Sequence, residues 1–220
     1  MRLVALRYGS MEIPLSWVYL GEDKDENFLV SMMFFLIEYK DKKILADTGC
    51  DYFDGCDEYE FKKPVDLLGD YGVKPEEITD IIITHPHNDH IASVCHFPDA
   101  NVYLHRDAFE GGKSYLENNK YVSVIEDGFK LTDKIEVRHI GGHSKGSCVV
   151  IIKHEGKSYV LCGDECYSMK NLTDQIPTGA SICPQKSMDF VKQYSDMSYT
   201  PIVTHDVNLV EKPVGYKIII

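Results

Sequence analysis

The stretch Thr84-His85-Pro86-His87-Asn88-Asp89-His90 decides how this chain is read. It closes an apolar run, Asp80 to Thr84, with the length and β-branched content of a buried strand. Three histidines and one aspartate then fall within positions 85–90. His85 and His87 alternate with Pro86, so in an extended turn their rings converge on one ion. Asp89 and His90 stand where a helix is expected to begin, because Asn88 and Asp89 are both good N-cap types, and from there they turn toward a second position. Imidazole and carboxylate together suit zinc or another borderline divalent ion. One histidine in such a place would be ordinary structure; the cluster reads as a metal site.

Further donors must come from distant segments, and three candidates end strand-like runs. His143 lies in Gly141-Gly142-His143-Ser144-Lys145-Gly146-Ser147, where glycine lets the backbone pass close to an ion. Asp164 follows Tyr159 to Cys162, and His205 follows Ile202-Val203-Thr204. Taken singly, each is an ordinary turn or strand-end residue. Their common placement raises them.

Around these points the chain alternates strands and helices. Strands are expected at Leu3 to Arg7, Ser16 to Leu20, Phe28 to Tyr39, Lys43 to Ala46, Asp80 to Thr84 and Asn101 to Leu104. Others are expected at Lys130 to Leu131, Ile135 to His139, Cys148 to His154, Lys157 to Cys162 and Ile202 to Thr204, with Glu155-Gly156 as a tight turn. Helical pieces are expected at Pro64 to Tyr71, Pro75 to Ile78, from Asn88 or Asp89, over Asp107 to Asn118, and from Pro184 to about Met197. This order predicts a layered α/β protein with two sheets. No repeat or long Pro/Gly/Ser linker divides it, so residues 1–220 are expected to form a single domain.

Composition narrows the function. With 23 Lys and Arg against 35 Asp and Glu the formal charge is −12, which opposes a phosphate backbone and disfavours a nucleic-acid partner. The longest apolar stretch, Phe28 to Ile37, falls well short of the roughly 20 residues a spanning helix needs, so no membrane partner is expected. The start shows no apolar signal-peptide core, and the seven cysteines form no CxxC pair. Free thiols in a reducing cytoplasm are the expectation.

The ordered motifs HxHxDH at 85–90, GHSxGS at 142–147, GD at 163–164 and TH at 204–205, with an earlier Asp47-Thr48-Gly49, resemble the metallo-β-lactamase-fold hydrolases over nearly the whole chain. The resemblance implies a four-layer αββα sandwich with a two-metal site at an edge of its sheets. It assigns His85, His87 and His143 to one metal and Asp89, His90 and His205 to the other, with Asp164 bridging and Asp47 a buried support. Within the family the chain is most similar to the N-acyl homoserine lactonases, through Tyr167, three residues past Asp164, and through Thr204-His205-Asp206.

That likeness implies a dinuclear metal-dependent hydrolase acting on a small-molecule ester or lactone. Two ions about 3.5–4 Å apart share a water and make it hydroxide near neutrality. The bridging hydroxide attacks the carbonyl, Tyr167 donates to the oxyanion for about 2–4 kcal/mol, and Asp89 carries the proton to the leaving alkoxide. Zinc is the first expectation, with iron, manganese or cobalt open. A glyoxalase II-like thioester hydrolase fits the same ligands and ranks second, because only 15 residues follow His205 where that family carries a helical domain. An iron oxidoreductase resembling the persulfide dioxygenases is the alternative of another class. A nuclease resembling ribonuclease Z conflicts with the charge, and a flavodiiron protein would carry glutamate at His87. Oligomeric state stays open.

The remaining motifs read as structure. His96, His105, His139 and His154 fit no ligand position, although His139 precedes His143 closely enough for a supporting hydrogen bond. Cys162 and Cys166 read as buried thiols flanking Asp164. The acidic loop Asp51 to Glu60 reads as solvated surface that can edge the site mouth, with Tyr52 and Phe53 offering apolar lining.

Overall fold

The longest apolar runs lack polar alternation, and each forms a strand buried on both faces. These are β1 (Arg2–Pro14) and β2 (Asn27–Tyr39), the latter buried without a break from Val30 to Ile37. The computed structural model describes residues 1–53 and 59–220, so only the ends of the acidic loop are among the described residues and Cys56 is not. Two compact units divide the chain: 1–11, 31–125 and 207–220 form the first, and 12–30 with 126–206 form the second.

The first unit holds β3 (Lys42–Ala46), β4 (Asp80–Ile83), β5 (Asn101–His105), β6 (Tyr121–Ile125) and the late strand β12 (Gly215–Ile218). The sheet runs β12-β1-β2-β3-β4-β5-β6. β1 pairs antiparallel with β12 and β2 with β3, whereas β3, β4, β5 and β6 run parallel. Parallel neighbours need crossovers, supplied here by α2 (Pro64–Tyr71), α3 (Asn88–Ile91) and α4 (Arg106–Gly112). Leu67 and Leu68 of α2 and Ile91 of α3 join Phe34, Leu36, Leu45, Ile81 and Leu104 in one apolar core. Asp80 is wholly buried beside it, and three neighbours meet its carboxylate: Lys42 Nζ at 2.6 Å, Thr79 Oγ1 at 2.7 Å and Tyr103 OH at 3.2 Å.

The second unit holds β7 (Phe129–Lys130), β8 (Ile135–His139), β9 (Cys148–His154), β10 (Lys157–Leu161) and β11 (Tyr199–Ile202), in the sheet order β11-β10-β9-β8-β7. β9 and β10 meet through Glu155 and Gly156, both left-handed (φ 47° and 79°), the geometry of a tight hairpin. β10 and β11 are parallel, and the chain between them forms α5 (Met169–Thr173) and α6 (Pro184–Tyr194). Phe190, Val191 and Tyr194 of α6 pack with Val149, Val160 and Cys162.

Two expected strands are corrected. Ser16–Leu20 is instead a short helix, α1 (Leu15–Val18), and a turn. Its carbonyls are taken by α5 and the loop after it rather than by a ladder: Trp17 O accepts from Ala180 N at 2.9 Å and Val18 O from Asn171 Nδ2 at 2.8 Å. The final strand lies at Tyr199–Ile202, not Ile202–Thr204, because pairing with β10 ends at Ile202 and Asp206 N turns back to Val203 O. β6 and α5 have no counterpart in the sequence reading, and of the two readings open for Ile218-Ile219-Ile220, a last strand or a subunit contact, a strand forms but lies earlier, at Gly215–Ile218. β6 and β12 are edge strands with mixed exposure, which weakens the alternation that marks a strand. Among the described residues, no helix is long and apolar enough to cross a membrane.

Candidate metal centre

Parallel pairing places donors together by register. In the first unit Ala46 of β3 lies opposite Ile82 of β4, so the residues after both strands leave the same sheet edge. Asp47 stands there in the left-handed region (φ 61°), unusual for a residue with a Cβ. Its carboxylate accepts from Thr84 N and Thr84 Oγ1, both at 2.8 Å, and Oδ2 also meets His90 Nδ1 at 2.8 Å. One buried carboxylate therefore anchors the HxHxDH segment at both ends. Within the segment His85 Nε2 faces His87 Nδ1 at 3.0 Å, and the rings of His85 and His90 lie 4.1 Å apart. His85 Nδ1 is 3.1 Å from Thr84 Oγ1, and His90 Nε2 is 3.4 Å from Asp89 Oδ2. His85 and His90 are buried, Asp89 is half-buried and His87 is exposed. Tyr8 supports the turn from below, donating to Asp89 O at 2.9 Å; burial pushes its own phenol well above the usual range.

In the second unit Leu161 lies opposite Ile202, so Asp164 and His205 each stand three residues beyond the last pair. Gly163, between β10 and Asp164, is left-handed (φ 52°), a backbone turn that glycine adopts without a Cβ penalty. Asp164 Oδ1 meets His205 Nε2 at 2.9 Å. Its Oδ2 lies 3.5 Å from His143 Nε2 and accepts from Tyr167 OH at 2.8 Å. The Tyr167 ring stacks on His205 with centroids 4.8 Å apart. His143 Nδ1 is held by Ala180 O at 2.5 Å. All four side chains are buried.

The donors fit divalent metal ions. Nδ1 of His90 and of His143 is engaged by an oxygen of the protein, while Nε2 of each points to a carboxylate. That is the arrangement in which outer partners fix a ligand's tautomer and ring orientation. Imidazoles and carboxylates without a thiolate among them suit zinc, iron, manganese or cobalt. Among the described residues, ligand atoms of these His and Asp side chains are among those grouped closely enough to hold a metal ion.

The sequence-derived residues thus gather in two clusters, His85, His87, Asp89 and His90 in the first unit and His143, Asp164, Tyr167 and His205 in the second. Of the other histidines, His139 Nε2 meets Lys145 O at 2.9 Å within the loop that carries His143, while His96 pairs with Asp51 at 2.7 Å. Cys162 and Cys166 are free and buried, and burial first, then the neighbouring Cys162, pushes the Cys166 thiol well up. Sequence reasoning missed Glu165, whose carboxylate binds the main chain at Gly142 and His143. Burial raises its pKa, against the lowering effect of Ser147, His143 and Gly142. In the sequence it is the second of two adjacent carboxylates after Tyr159 to Cys162, and nothing local sets it apart from Asp164.

Comparison with known proteins agrees with this layout. An N-acyl homoserine lactonase of Bacillus cereus is 26% identical over 201 residues, covering 79% of this chain and 80% of that one. A crystal structure of a quorum-quenching N-acyl homoserine lactone lactonase superposes with a TM-score of 0.83 at 20% identity, covering 96% of this chain and 94% of the other. A dizinc quorum-quenching lactonase, solved with a product bound, gives a TM-score of 0.78 at 17% identity over 93% and 87% of the two chains. Two mixed sheets with flanking helices are the αββα class expected from the motifs. Residues 33–185 match the metallo-beta-lactamase superfamily, to which this chain belongs.

Proposed function

We propose that the chain acts as one hydrolase domain that opens a small, uncharged carbonyl ester at a dinuclear metal site, with an N-acyl homoserine lactone as the first substrate to test. The observation that carries this reading is Asp164, whose two oxygens face two different imidazoles, His205 at 2.9 Å and His143 at 3.5 Å. A carboxylate so divided suits a bridge between two ions. His85, His87 and His143 would hold one ion and Asp89, His90 and His205 the other, with zinc the first candidate. Two bound divalent ions supply Lewis acidity and an activated water at neutral pH.

The residues around them do the rest. Tyr167 donates to the substrate carbonyl oxygen as negative charge develops there, releasing its bond to Asp164 Oδ2. Asp89, its side chain 15% exposed, returns a proton to the leaving alkoxide. Water adds to the carbonyl carbon, the ring C–O bond breaks, and the new acid loses its proton to solvent. A chain charge of −12 favours a neutral substrate over an anionic one.

Proton release in a pH-stat, with metal-loaded protein and an N-acyl homoserine lactone, tests this directly. Acid release is expected, and D164N should abolish it while losing at least one of two metal equivalents on dialysis. No release from protein that holds two ions would discard the lactone. Two equivalents retained by D164N would discard the bridging role.

A further inference from the structure

Glu165 follows Asp164 directly, is wholly buried, and spends its carboxylate on a single loop. Its Oε1 accepts from Gly142 N at 3.1 Å, His143 N at 3.2 Å and Ser147 Oγ at 2.5 Å, and Oε2 lies 3.3 Å from His143 N. Every one of these donors belongs to the loop that carries His143. The approach is close enough that a Cβ on Gly142 would sit 2.4 Å from Glu165 Oε2 and 2.4 Å from Ser187 Oγ. Ala180 O also holds the ring at Nδ1, and Ile182 N and Cys183 N bind Gly142 O at 2.9 and 3.0 Å. Burying a carboxylate is costly, and an apolar side chain would fill the same volume without that cost. What the carboxylate adds is direction. It converges two main-chain amides and a hydroxyl on one point, as an anion does in a backbone nest.

We propose that Glu165 is the positioning residue for His143: by gripping the loop's main chain it fixes the backbone from which the ring, tied at Nδ1 to Ala180, presents Nε2 to the metal. Consecutive residues then serve the two sides of one centre, Asp164 as a donor and Glu165 as the clamp on a second donor. The inference rests on the dinuclear reading above and adds a residue to it that touches no metal.

The test is a stepwise zinc titration against a chromophoric chelator for the wild-type protein, E165Q and S147A. It is paired with thermal unfolding of the metal-free forms and with the nitrogen resonances of the His143 ring in metal-free protein. E165Q keeps the side-chain volume but turns a donor toward the His143 amide. It should weaken one of the two ions by roughly 10–100-fold and leave the other unchanged. S147A removes one donor, keeps both amide bonds, and should weaken the same ion by less. In E165Q the His143 ring should also change from a single Nδ1–H tautomer to an averaged signal. A lower melting temperature with both affinities unchanged, or equally reduced, would make Glu165 merely structural and overturn the proposal. If wild-type protein binds fewer than two ions, the dinuclear reading fails by itself. The clamp is then judged on the ring signal alone, and an unchanged His143 tautomer in E165Q overturns it.

Discussion

Tyr167 is the residue whose role is most exposed to experiment. Its hydroxyl donates to Asp164 Oδ2 at 2.8 Å and its ring stacks on His205, so both ends of the side chain are engaged with proposed metal ligands. A hydrogen-bond donor aimed at developing oxyanion charge is worth about 10²–10³ in turnover. Y167F should therefore lower kcat by about that factor while metal analysis still finds the wild-type stoichiometry, because the ring and its stacking remain. Unchanged kcat would remove the hydroxyl from the mechanism. The candidate ligands stood out in the sequence because histidine and aspartate at short spacing, repeated at strand ends, have little other use. Glu165 did not, since nothing local distinguishes a buried clamp from a turn carboxylate; its donors are 18 to 23 residues away.

At the scale of elements, the strands of the first unit carry a titratable lock. Tyr103 on β5 donates to Asp80 on β4, which also takes Lys42 on β3. Burial first, then the Asp80 charge, pushes the Tyr103 phenol up to about 12. Tyr194 on α6 is pushed up to about 12 as well, by burial and then by Tyr199. A phenol whose pKa is raised by folding is held protonated by the fold. Its contribution to stability is therefore complete below its unfolded value, about 10, and is lost as pH rises through about 12. Unfolding midpoints should fall across that window, phenolate absorption of the folded protein should lag that of the unfolded chain, and Y103F should remove part of the decline. A decline of the same size in Y103F would discard the assignment. Most elements were readable from apolar runs bounded by turns. Ser16–Leu20 was misread because its apolar spacing is short enough to suit either strand or helix, and partners in the 168–182 segment decided between them.

For the molecule as a whole, ions that bind only the folded chain add to its stability by mass action, about 2.7 kcal/mol at a hundred times Kd and about 4.1 at a thousand. For a chain of 220 residues this is a rise of about 5–15 °C in Tm per ion. Calorimetry before and after chelation should show that fall, and readdition of zinc should restore it. A Tm indifferent to chelation would contradict a site built from folded-state donors. The sequence by itself carried the candidate donors and the ordered motifs whose resemblance implies the αββα class and the family, since residue type and motif spacing are local. Only the tertiary structure decided how each donor is aimed. The parallel register of β10 and β11 levels Asp164 with His205, that of β3 and β4 brings Asp47 beneath Thr84 and His90, and Glu165 reaches back to the His143 loop. Hydrogen bonds between residues far apart in the chain leave no trace in local spacing, because their partners are chosen by the packing of strands and not by the neighbours that precede them.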